Sequence, residues 1–281
     1  MEESKEFETN ENTLILKTLT LDELEVIEDL NSEVYSFEKI EELLSNEWSK
    51  QFEGIEILRR IVKTNNQLSD DIAVRFENSI STAAQNLRSN LARNSFLLLQ
   101  EIIPFIRTDS LIPFTKLLLL KSSSEKHFIK EIVAATLEKI CSVHFSPTFL
   151  QYLMELADNK NKILADKSIW MLSKLVDSHS TKIKELREGF ILNLLKWLLV
   201  VFTHKRQSLA KPAKEAILKL KSQVPEILDQ EEFKTGMDSL ELQQLQSIQP
   251  SPSQKNEPSS LKEAIKKGKL NSAFKKQNVI Q

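Results

Sequence analysis

Apolar residues recur at three- and four-residue spacing almost without interruption from about residue 36 to residue 222, as in Ile55, Leu58, Ile61 and Val62 and again in Leu91, Phe96, Leu98, Leu99, Ile102 and Ile103. That period is the signature of amphipathic α-helices. The helices fall into pairs. First helices are predicted near 36–46, 70–85, 109–121, 147–158 and 188–203, and second helices start near 48, 87, 125, 161 and 205. The second helices therefore begin 39, 38, 36 and 44 residues apart, which matches the roughly 40-residue period of HEAT and armadillo hairpins. A single hairpin cannot bury its own apolar face, so such units stack into a solenoid with a shared core. The expected fold is all-α, an α-solenoid of about five to six HEAT-like hairpins. Four glycines and eight prolines in 281 residues fit this reading, being too few for the turns of a large sheet protein.

Three regions are expected. Residues 1–20 read as an acidic flexible extension, 21–247 as the solenoid, and 248–281 as a Ser/Pro linker (SIQPSPSQKNEPSS covers its start) followed by a lysine-rich tail with Leu261, Ile265 and Leu270. A helix near 21–31 (LDELEVIEDLN) would cap the front of the solenoid, and 225–247 would add one or two closing helices. Charge follows the same division. Residues 1–47 hold fifteen acids against three lysines, a net of −12, whereas 48–253 carry 28 basic against 23 acidic residues and 254–281 seven lysines against two glutamates, each a net of +5. A basic middle and tail favour an anionic partner, and the acidic head could screen that surface or bind elsewhere.

Catalytic and metal-binding signatures are missing. His127, His144, His179 and His204 stand apart, with no HExxH pair and no cysteine cluster, so no metal or other cofactor is expected. Cys141 and His144 share a helix face, but a dyad also needs an orienting group and an oxyanion hole. GxSxG, GxGxxG and Walker loops are absent. The chain reads as a binding module and not as an enzyme. Its one cysteine suits a reducing compartment, the acidic start is unlike a signal peptide, and the longest apolar runs (111–120, and 190–203 broken by Asn193 and Lys196) are shorter than a membrane span. An intracellular, cytoplasmic location follows as an expectation, with no membrane partner.

In a solenoid the turns inside each pair form one long edge, so their residues are considered together. The first turn, SNEWSKQFEG, offers Trp48 with Asn46, Glu47 and Lys50. Trp48 is either an anchor for a partner or a core residue of its hairpin. The second, AQNLRSNLARNS, offers Arg88 and Asn90, with Arg93 either exposed or bonding a neighbouring turn. The third supplies Lys121, Ser122, Ser123, Ser124 and Lys126, the fourth Asn159, Lys160, Asn161 and Lys162, and the fifth His204, Lys205 and Arg206, followed by Lys211 and Lys214. Four of five turns carrying Lys or Arg, with a Trp at the first, make a positive strip with an aromatic end. The plainer reading of any one of these residues is a solvated helix face or a cap. Trp170 and Trp197 lie in apolar helix stretches and are read as core.

These residues resemble the TOG domains, HEAT-like paddles that bind tubulin through their intra-repeat turns, and are most similar to the subclass of CLIP-associating proteins and ciliary crescerin-type TOG array proteins. The resemblance rests on EWSKQFEGIEILRRI, like the family's first repeat with its Trp turn, and NLRSNLARNSFLLLQEI, like its "DLRS-x-V-x-R-x-A" second repeat. KSSSEKHFIKEIVAATLEKI, NKNKILADKSIWMLSKLV and HKRQSLAKPAKEAILKL match more weakly, and the whole covers roughly residues 36–222. The resemblance implies a non-catalytic tubulin- or microtubule-binding protein of the cytoskeleton, with cilia and axonemes as an implied setting. It implies tubulin contacts at Trp48 and Lys50, at Leu87, Arg88 and Ser89, at Lys121 and Lys126, at Lys160 and Lys162, and at Lys205 and Arg206. Asn86 stands where the family has an acid, Leu91 where it has Val, and the sixth repeat is short. Two other readings remain: a HEAT-repeat scaffold holding a protein partner independently of tubulin, and nucleic-acid binding, which lacks stacking aromatics beyond Trp48.

Overall fold

The structure, a computed structural model, describes residues 16–204 and 207–249. Among the described residues there are fifteen α-helices and no strand. Five hairpins form the body: α1 (Phe37–Leu44) with α2 (Trp48–Thr64), then α3 (Ser69–Arg75) and α4 (Glu77–Ala84) with α5 (Ser89–Ile102), α6 (Thr108–Lys121) with α7 (His127–Val143), α8 (Pro147–Ala157) with α9 (Lys162–Ser178), and α11 (Glu188–His204) with α12 (Gln207–Gln223). The short α10 (Ser180–Lys184) joins the last two hairpins. The predicted pairing is present, and the second helices begin 41, 38, 35 and 45 residues apart.

Local chemistry sets many helix starts. Ser36, Ser146 and Asn161 cap α1, α8 and α9 by accepting backbone N–H groups of the first turn, and Pro147 opens α8. Gly54 lets α1 and α2 approach closely, since a Cβ there would lie 3.1 Å from Leu44 side-chain atoms. Buried hydroxyls satisfy themselves inside their own helices: Ser95, Thr115, Thr136 and Ser168 each donate to the carbonyl four residues earlier. One apolar core runs the length of the ribbon from Ile27 to Ile248, with Phe76, Phe96, Phe114 and Phe149 fully buried.

Second helices pack side by side, α2 on α5, α5 on α7, α7 on α9 and α9 on α12. They are parallel, because starts meet starts and ends meet ends. Near the starts, Asn94 Nδ2 donates to Phe52 O at 3.3 Å. Near the ends, His144 Nε2 lies 2.7 Å from Ile103 O, His179 Nε2 2.9 Å from Cys141 O, and Gln223 Nε2 donates to Val176 O at 2.7 Å. Each of these three side chains satisfies a carbonyl that the preceding helix leaves unpaired at its end. Two of the isolated histidines are thus staples between repeats. Burial lowers the pKa of both.

Three expectations are corrected. First, 21–31 is not a helix: its backbone is bent and held by side chains of α2. Lys63 Nζ donates to Asp22 O and Leu24 O, Arg60 Nε to Glu25 O, and Thr64 Oγ1 accepts from Ile27 N, so groups that would form a helix ladder are bonded elsewhere. Only Leu24 and Ile27 of this stretch are buried. Second, the helix expected over 70–85 is split at Phe76, whose buried ring meets Phe37 edge-on at 5.4 Å. Third, 225–247 forms three short helices, α13 (Pro225–Leu228), α14 (Glu231–Thr235) and α15 (Ser239–Ser247), the last with a capping box from Asp238 and Glu241.

Of the acidic head, residues 16–20 lie against the body. Asn90 Nδ2 donates to Leu16 O at 2.7 Å, Thr18 Oγ1 donates to Asn90 O at 3.4 Å, and Arg59 Nη1 donates to Leu19 O at 2.9 Å. Thr20 folds back on Glu23, its N–H and hydroxyl both donating to the carboxylate, which holds that carboxyl down at about 2. Arg59 is wholly buried, with Nε and Nη2 on Glu101 and Nη1 also donating to Asn94 Oδ1 at 2.7 Å. Burial pushes the Glu101 carboxyl up against the pull of Arg59. Residues 1–15, Lys205, Arg206 and the tail from residue 250 lie outside the described residues.

Candidate binding edge

Parallel stacking places the first residues of all five second helices, Trp48, Ser89, His127, Lys162 and Gln207, along one edge. Each helix start carries the positive end of its dipole, so the edge is electropositive before any side chain is counted.

Side chains join the turns across repeats. The Arg88 guanidinium carbon lies 5.2 Å from the centre of the Trp48 ring, linking the first turn to the second. Lys126 Nζ donates to Ser89 Oγ at 2.9 Å and to Leu87 O at 3.4 Å, linking the third to the second. Ser208 Oγ donates to Asp166 Oδ1 at 3.1 Å near the fourth and fifth. Trp48 is half-buried against its own hairpin while keeping one face for Arg88, so the core and anchor readings each describe part of the ring. With Thr82, Gln85, Asn86, Leu87 and Arg88 it lines a shallow depression of about 620 Å³.

A repeated turn builds this row. Asn86 Oδ1 accepts from Arg88 N at 2.9 Å, Ser124 Oγ from Lys126 N at 3.3 Å, and Asn159 Oδ1 from Asn161 N at 2.9 Å. In each case a side-chain oxygen accepts the N–H two residues on and sets the N-cap of a second helix. Asn86 therefore makes the bond that a carboxylate would make there. At α9 the cap is Asn161, a favoured choice that bonds Ile163 N and Leu164 N. At α5 and α7 the caps are Arg88 and Lys126, neither of which bonds the helix with its side chain. A cation at a helix start opposes the dipole, by about 0.3–1 kcal/mol, and forgoes a cap worth about 1 kcal/mol.

The remaining site residues differ in character. Leu87 stands at the tip of the second turn, 93% exposed between Asn86 and Arg88. Lys50 is exposed but paired with Glu53 at 2.9 Å, whose carboxylate raises its pKa, so the first turn adds little net charge. Lys121 is half-buried at the end of α6, and Lys160 and Lys162 are exposed at the fourth turn beside the 38%-exposed Ile163. Arg93 sits 5.8 Å over the Phe128 ring, bridging α5 to α7. Trp170 and Trp197 are half-buried against the core. Among the second helices, the structure places Arg88 and Lys126 at N-caps, a role the sequence reading missed. Its signal is an Asn or Ser two residues before a basic residue that opens an apolar helix, as in Asn86-x-Arg88 and Ser124-x-Lys126.

The Cys141–His144 pair makes no site. The thiol contacts Met171 O at 3.9 Å, with burial pushing it up to about 12, and the imidazole is turned to Ile103 O and Thr108. Among the described residues no group of three or more His, Cys, Asp or Glu could hold a metal, and no helix is long and apolar enough to cross a membrane.

No protein-family model and no curated protein matches the chain. Solved structures do. One, from a study of the structural basis of microtubule plus-end tracking by XMAP215, CLIP-170 and EB1, aligns over 80% of this chain and 93% of its own at 13% identity and a TM-score of 0.52. Another, from work on how TOG–tubulin binding specificity promotes microtubule dynamics and mitotic spindle formation, aligns over 72% and 81% at 14% identity and a TM-score of 0.47. A designed armadillo repeat protein aligns over 77% and 94% at 12% identity and a TM-score of 0.36. The first of these establishes common fold, and at 13% identity it establishes no more than that. The chain is an α-helical-repeat solenoid that shares the fold of that first structure.

Proposed function

We propose that the chain is a non-catalytic tubulin- and microtubule-binding protein of the TOG class, which grips tubulin with the edge formed by the starts of its second helices. The observation that carries this reading is the placement of Arg88 and Lys126 at the N-caps of α5 and α7. Helix stability favours Ser, Asp or Asn there. The basic N-cap of α6, Arg107, is paired with Asp70, whereas Arg88 and Lys126 reach across repeats to Trp48 and Ser89 on the edge. The two cations flank the exposed Leu87 and adjoin Trp48, giving an apolar tip inside a positive rim. That pattern fits an acidic protein surface with a small apolar recess, and tubulin, named by the family resemblance, is such a partner.

In this reading the cytoplasmic cytoskeleton, including that of cilia, is where the protein works, on microtubule organisation or dynamics, without cofactor, membrane or nucleic acid. The lysine-rich tail acts as a second, weak attachment whose tethering raises avidity. Deleting residues 254–281 then weakens binding to the microtubule lattice more than to the free dimer. Equal loss on both, or no loss on either, rejects that role for the tail. The reading as a whole is tested by gel filtration with unpolymerised tubulin beside co-sedimentation with stabilised microtubules, at low and moderate salt. Absence of binding in both assays transfers the function to a HEAT-type adaptor for another protein.

A further inference from the structure

We infer that the closing helices form a second binding site, for a small apolar monocarboxylate, separate from the basic edge. The site is a cavity of about 350 Å³ where the end of α12 meets α13, α14 and α15. That volume lies at the lower end of the range for ligand sites, about 300–1,000 Å³. Phe233 and Leu245 are buried in it, and Leu228 and Leu242 are half-buried around them. Pro225, Asp229 and Gln246 are exposed and mark its open side. Apolar walls with a few polar groups are the usual composition of a small-molecule site. Because α12 begins at the basic edge and Lys221 lies in its last turn, the cavity sits toward the far edge of the solenoid, clear of Trp48, Arg88 and Lys126.

Lys221 gives the cavity its ligand preference. Its half-buried ammonium donates to Leu245 O at 2.9 Å and to Ile248 O at 3.1 Å, at the end of α15, where helical carbonyls lack partners of their own. An ammonium carries three donors, so one N–H remains for a ligand. No carboxylate among the described residues pairs with it, and burial alone lowers its pKa. The other lining cation, Lys234, is paired with Glu231 at 3.7 Å, and Asp229 stands in water at the rim, where its charge is screened. A partly desolvated cation lining an apolar cavity without a counter-ion costs free energy that a bound carboxylate recovers, while the ligand's hydrocarbon part covers Phe233 and Leu245. One uncompensated cation suits a single negative charge and not a phosphate dianion. Four helices converge on the cavity, so a bound acid ties α13, α14 and α15 to the last hairpin.

Isothermal titration of the full chain with octanoate and with phenylacetate, each beside uncharged 1-octanol, tests this. At least one acid is expected to fill a single site with a Kd on the order of a millimolar or below, roughly tenfold more tightly than the alcohol. Amide exchange over residues 225–248 is expected to slow when that acid is bound. Leu242→Trp fills the cavity and is expected to remove binding, and Lys221→Met to bring acid and alcohol to equal affinity. Absence of saturable binding by both acids overturns the site. Equal affinity of the parent for acid and alcohol overturns the role of Lys221. Undiminished binding by a folded Leu242→Trp chain overturns the location. The exchange readout needs only the parent chain, so it decides the location even where a variant fails to fold: slowing that is absent from 225–248, or spread over the other helices, overturns it.

Discussion

Arg88 holds its guanidinium 5.2 Å over the ring of Trp48, so that two turns from adjacent hairpins present one surface, with Leu87 at its tip. The arrangement leaves Arg88 at the N-cap of α5, where its charge opposes the helix dipole. On the proposed reading, contacts with a partner account for a cation in that place.

Arg88→Ser follows from this directly. A serine cap contributes about 0.5–2 kcal/mol, and the exposed cation–π contact it removes is worth about 0.5–1 kcal/mol. Thermal stability of the variant is therefore unchanged or slightly raised, while tubulin affinity falls. A clear drop in melting temperature would show that Arg88 serves the fold.

Arg59→Ala should cost about 3–5 kcal/mol, because it leaves the Glu101 carboxylate buried without its partner. It also frees Leu19 O, so amide exchange across residues 16–27 should accelerate along with global destabilisation. Circular dichroism melts and hydrogen exchange read the two effects separately.

Stability should fall on mild acidification. His144 and His179 are buried as inter-repeat staples, and burial depresses both pKa values below the ordinary 6.5. The unfolded chain then binds more protons than the folded one, so the contribution is fully present above pH 6.5 and is lost as pH falls below it. Denaturant melts of His144→Gln/His179→Gln should show a flatter dependence over that interval than the parent. An equal slope would assign the pH dependence to other groups.

Much of the fold was legible because a helical hairpin is local: the apolar period and the pairing of helices are written within about forty residues. What was not legible depends on partners distant in sequence. The stretch 21–31 carries acidic and apolar residues suited to a helix, yet Arg60, Lys63 and Thr64 of α2 bond its backbone instead. Arg59 reads as a polar position in an amphipathic helix, and only the arrival of Glu101 and Asn94 from α5 lets it be buried. On the edge, the basic turns were visible as residues and the pairing of Lys50 with Glu53 lies within one turn of α2, whereas the span from Lys126 to Ser89 requires the stacked repeats. Leu87 was reached through the family resemblance alone, since no periodicity marks an exposed leucine at a turn.

Co-sedimentation with stabilised microtubules, alongside gel filtration with free tubulin, of the parent and of Trp48→Ala/Arg88→Ala tests the central claim most directly. The account predicts that the double variant keeps its helicity and loses at least about 2 kcal/mol of binding, roughly thirtyfold in affinity. Parent-like binding by a folded double variant would contradict it.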